Sequence, residues 1–277
     1  MRMLNSTSSG PTSDWLADRA AFERLCDDAA EARAKVLGQF WMALDVKDSS
    51  ITPWLVKEGY WESWVSLAIA RAIRPGMCCV DAGANVGYYS LLMALRGAEK
   101  VLAVEPQPHT ARLLRRNVEG NRLDHIITVA EVALGAVPGQ ADLLRFGDKH
   151  GSDSLVPSRG YEVTERWPVE VAPLDALLAG WPRVDFVKVD VEAMEAEVWE
   201  GMRQTRAANP QMTVCMEVLI SPPMDPLALL RSIERERPLG LVGGSGAILH
   251  VAADEVLAHP MTQELQWAMV WIGGNGG

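Results

Sequence analysis

Seven residues, Asp81-Ala82-Gly83-Ala84-Asn85-Val86-Gly87, carry the clearest chemical signal in this 277-residue chain. They follow an apolar, strand-like run and precede a helical one, which is where an α/β protein brings its backbone against a ligand. Gly83 and Gly87 permit such an approach because no Cβ intrudes. A dinucleotide fingerprint would read G-x-G-x-x-G. Here Asn85 takes the middle position and Tyr88 the third, so a pyrophosphate cradle is a poor match. Glu105 stands at the end of the next strand-like run, placed to accept both hydroxyls of a ribose. A ribose acceptor beside a loop unsuited to pyrophosphate points to an adenosine derivative.

A second acidic group lies downstream, in Lys188-Val189-Asp190-Val191-Glu192-Ala193-Met194-Glu195. This segment ends a strand on the same side of an open sheet as the loop, where active sites of such sheets lie. Asp190 or Glu192 is a candidate general base, given burial that raises its pKa. Asp190 with Glu217, at the end of the following strand, is a candidate pair for a divalent cation such as Mg. His150, in the polar loop from Gly147 to Leu155, is the other candidate base. None of the five histidines has metal-ligand spacing. Glu195 and Glu197 read as a charged first helical turn that complements the macrodipole.

The elements that must position these residues follow from periodicity. Strand-like runs over Met77 to Ala82, Lys100 to Val104, Ile126 to Val132, Val184 to Val189 and Thr213 to Val218 alternate with helical ones, the pattern of a doubly wound, mostly parallel sheet with helices on both faces. Two further apolar runs, Ala247 to Ala252 and Trp267 to Ile272, close the chain. Between about 138 and 182 the rhythm breaks into a hairpin or lid insertion around a polar loop. Upstream, apolar residues from Trp15 to Leu44 recur at helical intervals and predict a helical extension over 14–75. It packs on the domain of residues 76–277 or forms a homodimer. Residues 1–13 read as a disordered lead.

Composition bounds the partners. A formal net charge of -10 opposes a polyphosphate backbone, so no nucleic acid is expected. No apolar run is long enough to span a bilayer. Two of the four cysteines, Cys79 and Cys215, fall in apolar runs, which fits reduced core thiols and a cytoplasmic location. Trp54, Trp61 and Trp64 cluster before the first strand of the sheet. Indoles stack on sugar faces, although tryptophan is more often core.

The motifs Asp81-Ala-Gly-Ala-Asn-Val-Gly-Tyr-Tyr-Ser90, Val104-Glu-Pro106, Val132-Ala-Leu-Gly135, Pro173-Leu-Asp175 and Lys188 to Glu195, in this order and spacing, resemble the FkbM-type methyltransferases. The resemblance implies a Rossmann-like class I methyltransferase sheet with an antiparallel C-terminal strand. It also implies S-adenosylmethionine as donor and O-methylation of a small-molecule hydroxyl, such as that of a sugar or glycosylated natural product. It would place Asp81, Gly83, Asn85 and Gly87 around the methionine part of the donor, Glu105 at the ribose, and Glu131 and Val132 at the adenine. Glu62 matches an upstream acidic position near the donor's amino group, and Ser154 lies in a segment that folds over the cofactor. The family has glycine where this chain has Ala193, so the turn there is expected to differ. An adaptor that binds the donor without catalysis is the competing reading, and an NAD-dependent oxidoreductase a third.

Overall fold

The computed structural model describes residues 31–146, 153–157, 162–220 and 224–273. The strands are β1 (Glu31–Val36), β2 (Phe40–Asp45), β3 (Cys78–Ala82), β4 (Lys100–Val104), β5 (Ile127–Ala130), β6 (Ala133–Leu134), β7 (Gly139–Phe146), β8 (Val163–Ala172), β9 (Phe186–Val189), β10 (Thr213–Leu219), β11 (Leu239–Val242), β12 (Ile248–His250) and β13 (Trp267–Ile272). Eight of them form one sheet in the order β12-β11-β13-β10-β9-β3-β4-β5. β5, β4, β3, β9 and β10 are mutually parallel, and β13 runs antiparallel between β10 and β11. The order reverses between β3 and β9. At such a switch point the connecting helices leave on opposite faces, and a crevice opens at the carboxyl ends of the strands.

Parallel strands covered on both faces read as continuous apolar runs, and β3, Cys-Cys-Val-Asp-Ala, is buried throughout. Alternation sends its residues to two cores. Cys79, Phe186 and Cys215 face helices α1 (Ile51–Glu58), α2 (Ser63–Ala72), α3 (Tyr88–Leu95) and α4 (Pro108–Gly120). Val80, Val187 and Met216 face α6 (Glu195–Gly201), α8 (Pro226–Glu234) and α9 (Ala253–Ala258), which follow the short α5 (Leu174–Leu177) and flank α7 (Arg203–Ala208). The remaining helix, α10 (Pro260–Leu265), leads into β13. The expected insertion is the antiparallel pair β7 and β8, with β6 beside β8. Among the described residues no helix is long and apolar enough to cross a membrane.

The N-terminal expectation needs correction. Residues 31–45 form a β-hairpin rather than a helix, with Val36 opposite Phe40. Ala34 and Val36 on β1 and Phe40, Met42 and Leu44 on β2 are buried at alternate positions, with Ala43 buried beside them. That two-residue period hides inside a list of apolar residues that also satisfies helical spacing. The turn is made by Leu37 and Gly38 at φ 52 and 69, a conformation that breaks a helix. Residues 14–30, the remainder of the expected helix, and the lead before them lie outside the described residues.

The hairpin is fastened to α4 by side-chain amides. Asn117, 2% exposed, accepts the Ala43 N–H at 2.7 Å and donates to the carbonyls of Ala43 and Val86 at 3.1 and 2.9 Å. Asn121 makes a matching pair with the Trp41 backbone. Val86 belongs to the loop after β3, so a single amide ties hairpin, helix and loop together.

Candidate functional site

The carboxyl ends of β3, β4, β9 and β10 open into a cavity of about 260 Å³. The loop from Gly83 to Gly87 forms one side. Gly83 adopts φ 81, and a Cβ there would lie 1.7 Å from the Asp190 carbonyl oxygen. Gly87 adopts φ 97, and its Cβ would lie 2.5 Å from Leu114. Both glycines are therefore required by chain-to-chain approach: the β3 loop rests on the end of β9 and the helix start rests on α4. Gly83 still lines the cavity, whereas Gly87 does not.

Glu105 is held by the same loop. Its Oε2 accepts the Asn85 N–H at 3.0 Å and its Oε1 the Gln107 N–H at 2.9 Å. Each oxygen retains a lone pair, and the side chain lines the cavity. Burial raises its pKa to about 7 against the opposing effect of those two bonds. Asp81 lies beneath the cavity wall, fully buried, and its Oδ2 accepts the Ser90 hydroxyl at 2.6 Å. Its Oδ1 has no partner. Burial pushes the Asp81 carboxyl up, partly offset by the Lys188 ammonium.

Sheet register sets the rest. Asp81, Lys188 and Cys215 stand opposite one another across β3, β9 and β10. One step beyond the Val189 and Met216 pair come Asp190 and Glu217. Lys188, 1% exposed, places Nζ 2.8 Å from Asp190 Oδ2 and 4.7 Å from the Tyr89 ring centre. Burial opposes its charge, but Asp190, Asp81 and Glu62 outweigh burial and raise its pKa. The Tyr89 hydroxyl donates to Glu62 Oε2 at 2.7 Å. Burial and then the Asp190 charge lift Glu62 to about 7. Burial and the repulsion of Asp190 and Glu195 lift Glu192 to about 8. Glu217 is pushed well above the carboxylate range by burial and by Asp190, Glu62 and Glu192.

Of the site residues expected from sequence, Glu62, Gly83, Asn85, Glu105, Val132, Asp190, Glu192 and Glu217 share this cavity. Others do not reach it. Glu131 is exposed, pairs with Arg115 at 2.6 Å and does not line the cavity, whereas its neighbours Val132 and Ala133 do. Ser154 is turned away by a bond from its hydroxyl to the Glu192 carbonyl at 2.5 Å, and acts as a clip on that turn. His150 lies outside the described residues. The expected cation pair, Asp190 and Glu217, is adjacent as anticipated, but the Lys188 ammonium already occupies Asp190. Among the described residues no group of three or more histidine, cysteine or acidic side chains is arranged to hold a metal ion.

Two further expectations change. Ala193 keeps the glycine-like turn, at φ 76, following Glu192 at φ 53. Glu195 stands in the first turn of α6, as expected, but it is buried, and burial raises its pKa to about 7. It is 1% exposed, and its Oε1 receives the Val191 and Ala193 N–H groups, fixing that same turn. Glu197 is exposed as expected. The sequence reading passed over Lys188 and Tyr89 as functional residues. A lysine inside an otherwise apolar strand was the available signal for the first, since such a charge is buried only with partners.

Strained backbone and raised carboxyl pKa values give two expected outcomes. Ala193→Gly relieves a left-handed alanine and is expected to stabilise the chain by about 1 kcal/mol, read as a rise of about 2–4 °C in thermal midpoint. An unchanged or lower midpoint contradicts the strain. Glu62, Glu105, Glu192 and Glu195 hold protons in the folded chain, near pH 7 to 8, that the unfolded chain releases near 4.5. Their contribution is full below the unfolded value and is lost as pH rises through the folded ones. The ligand-free thermal midpoint is expected to fall from pH 6 to pH 8.5, less steeply in Glu192→Gln. A midpoint that climbs over this range overturns the assignment.

Comparison with known proteins agrees with this arrangement. Residues 81–235, more than half of the chain, match the methyltransferase FkbM domain. Methyltransferase sdnD of Sordaria araneosa is 31% identical over 153 residues, 44% of this chain and 59% of that protein. A ribosomal protein L11 methyltransferase of Chloroflexus aurantiacus is 38% identical over 73 residues, 26% of this chain and 22% of that protein. The chain thus spans less than two thirds of the length of these curated relatives. A solved methyltransferase FkbM from Methylobacillus flagellatus aligns over 94% of this chain and 60% of its own at 15% identity and a TM-score of 0.45. With the family matched across the loop, Glu105 and the β9 turn alike, the chain belongs to the FkbM methyltransferase family.

Proposed function

We propose that the chain binds S-adenosylmethionine and transfers its methyl group to a hydroxyl of a small molecule, a sugar or a glycosylated natural product. The observation that carries the donor assignment is Glu105. Both its oxygens are pinned by backbone N–H groups, each has capacity to accept a further bond, and the side chain lines the cavity, which suits two adjacent ribose hydroxyls. The concave backbone at Gly83 and Ala84 fits the amino-acid end of the same ligand, with the Asp81 carboxyl buried behind it. Glu62 stands on the opposite wall, and Val132 and Ala133 offer apolar surface for the base.

When bound, the donor supplies a methyl group already activated by the sulfonium charge. The chain must orient the acceptor hydroxyl and take its proton. Glu192 suits the second task, because a carboxyl with a pKa near 8 is a stronger base than an ordinary carboxylate, and its ionised fraction, which grows as pH rises toward 8, takes the hydroxyl proton. Asp190, engaged by Lys188, serves instead to position that ammonium and the turn beyond it. Ser154 and Glu195 hold the Glu192 turn from two sides, so the base is presented by a fixed backbone. The excess of acidic groups on the cavity wall and the net charge of -10 favour a small acceptor over a nucleic acid.

Isothermal titration with S-adenosylmethionine is expected to show one site. Glu105→Ala is expected to weaken binding at least about a hundredfold. Glu192→Gln should spare binding and lower turnover about 10²- to 10⁴-fold. Well-folded protein that does not bind the donor contradicts the proposal. Retained turnover in Glu192→Gln contradicts the choice of base.

A further inference from the structure

Resting on the methyl-transfer reading above, we infer that Glu217 is a specificity-determining residue that selects acceptors carrying a protonated amine close to the hydroxyl to be methylated. Among the described residues the cavity wall holds several carboxyl groups and a single ammonium, Lys188. Most of the carboxyls already have partners. Asp190 is paired with Lys188, Asp153 with Arg145 at 2.8 Å, Glu62 receives the Tyr89 hydroxyl, and Glu105 receives two backbone N–H groups. Glu192 and Glu217 alone among these have no hydrogen bond or ion pair within the described residues. Glu192 has a use in proton removal. Glu217 has none, although repulsion from Asp190, Glu62 and Glu192 makes an uncompensated charge there costly.

Such a carboxyl is relieved by a proton or by a cation. The donor, with one ammonium, one carboxylate and one sulfonium, brings a single net positive charge, and the proposed placement of its groups assigns none of them to Glu217. A cationic acceptor relieves Glu217 as a proton does, and it adds contacts that a proton does not. The surroundings of Glu217 suit it. Glu217 pairs with Met269 and Leu219 with Trp267 across β10 and β13, so Glu217 and Trp267 project from the same face one step apart. Trp267 lines the cavity, backed by Trp64 in a stacked pair at 6.2 Å, and Trp61 lines it from the neighbouring loop. An indole wall beside a carboxylate binds an ammonium through both cation–π attraction and a charge-assisted hydrogen bond, and it also stacks on the apolar face of a sugar ring. A neutral polyol gains the stacking alone. The chemistry points to a hydroxylated amine, such as an amino sugar.

The test is calorimetric titration of the full chain with glucosamine, glucose and N-acetylglucosamine, with and without S-adenosylhomocysteine. The three probes share a ring and differ at one position, and only glucosamine carries a charge there. Glucosamine is expected to bind at least about tenfold more tightly than the other two, the effect of one partly buried charge-assisted bond. Glu217→Gln is expected to bring all three within about twofold of each other while S-adenosylhomocysteine binds as before, and Glu217→Asp to retain the preference. Equal affinities in the unaltered chain, no binding of glucosamine, or a preference that survives Glu217→Gln overturns the inference. A chain that fails to bind S-adenosylhomocysteine contradicts the donor reading alone, because the sugar preference is also read without it.

Discussion

A lysine ammonium enclosed in a sheet has to be surrounded by negative charge, and in this chain that requirement organises the cavity at the carboxyl ends of the strands. Lys188 sits in the middle of β9 with Asp81 opposite on β3, Asp190 bonded to it, Tyr89 beneath it and Glu62 beyond the tyrosine. Taking one charge out of water is expensive, and the surrounding carboxylates offset that cost only if sheet register and helix packing hold them in place. The parallel pairing of β3 with β9 therefore sets more than a fold. It fixes which acidic groups share the ammonium and which, Glu192 and Glu217, have no partner among the described residues.

The turn after β9 shows what holding such a site entails. Glu62, Asn85, Glu192 and Ala193 all adopt left-handed backbone at positions without glycine, and each lies on or beside the cavity. Strain of this kind persists only where neighbouring bonds over-determine it. Those bonds are visible: Glu195 grips the Val191 and Ala193 N–H groups, Ser154 grips the Glu192 carbonyl, and Glu105 grips the Asn85 N–H. Behind the glycine loop, Asn117 joins Val86 to the hairpin, so a segment far upstream in sequence shares in shaping the donor side.

Much of this was legible from residue order. The loop from Asp81 to Gly87, Glu105 and the β9 end could be placed because strand-to-helix transitions announce themselves through periodicity, and because acidic residues just past apolar runs are uncommon decoration. The hairpin over residues 31–45 was not legible, since alternate and helical spacing coincide in short alanine-rich stretches such as Ala32 and Ala34. Gly83 lines the cavity as expected, but a one-dimensional pattern shows only that a backbone comes close to something, not that the Asp190 carbonyl also demands the glycine. Ala193 was expected to alter its turn, and instead Glu195 and Ser154 impose the glycine-like conformation on it. Short-range propensity yields where several long-range bonds agree.

The central claim is that Lys188 anchors the acidic site, and replacing it tests that most directly. Denaturant unfolding of Lys188→Met at pH 7.5 is expected to show a loss of about 3–5 kcal/mol relative to the unaltered chain, because one partner of a buried ionic group has been removed. The loss is expected to shrink toward pH 6 as Glu62, whose pKa is raised to about 7, takes up a proton. Unchanged stability, or a loss that is the same at both pH values, contradicts the account.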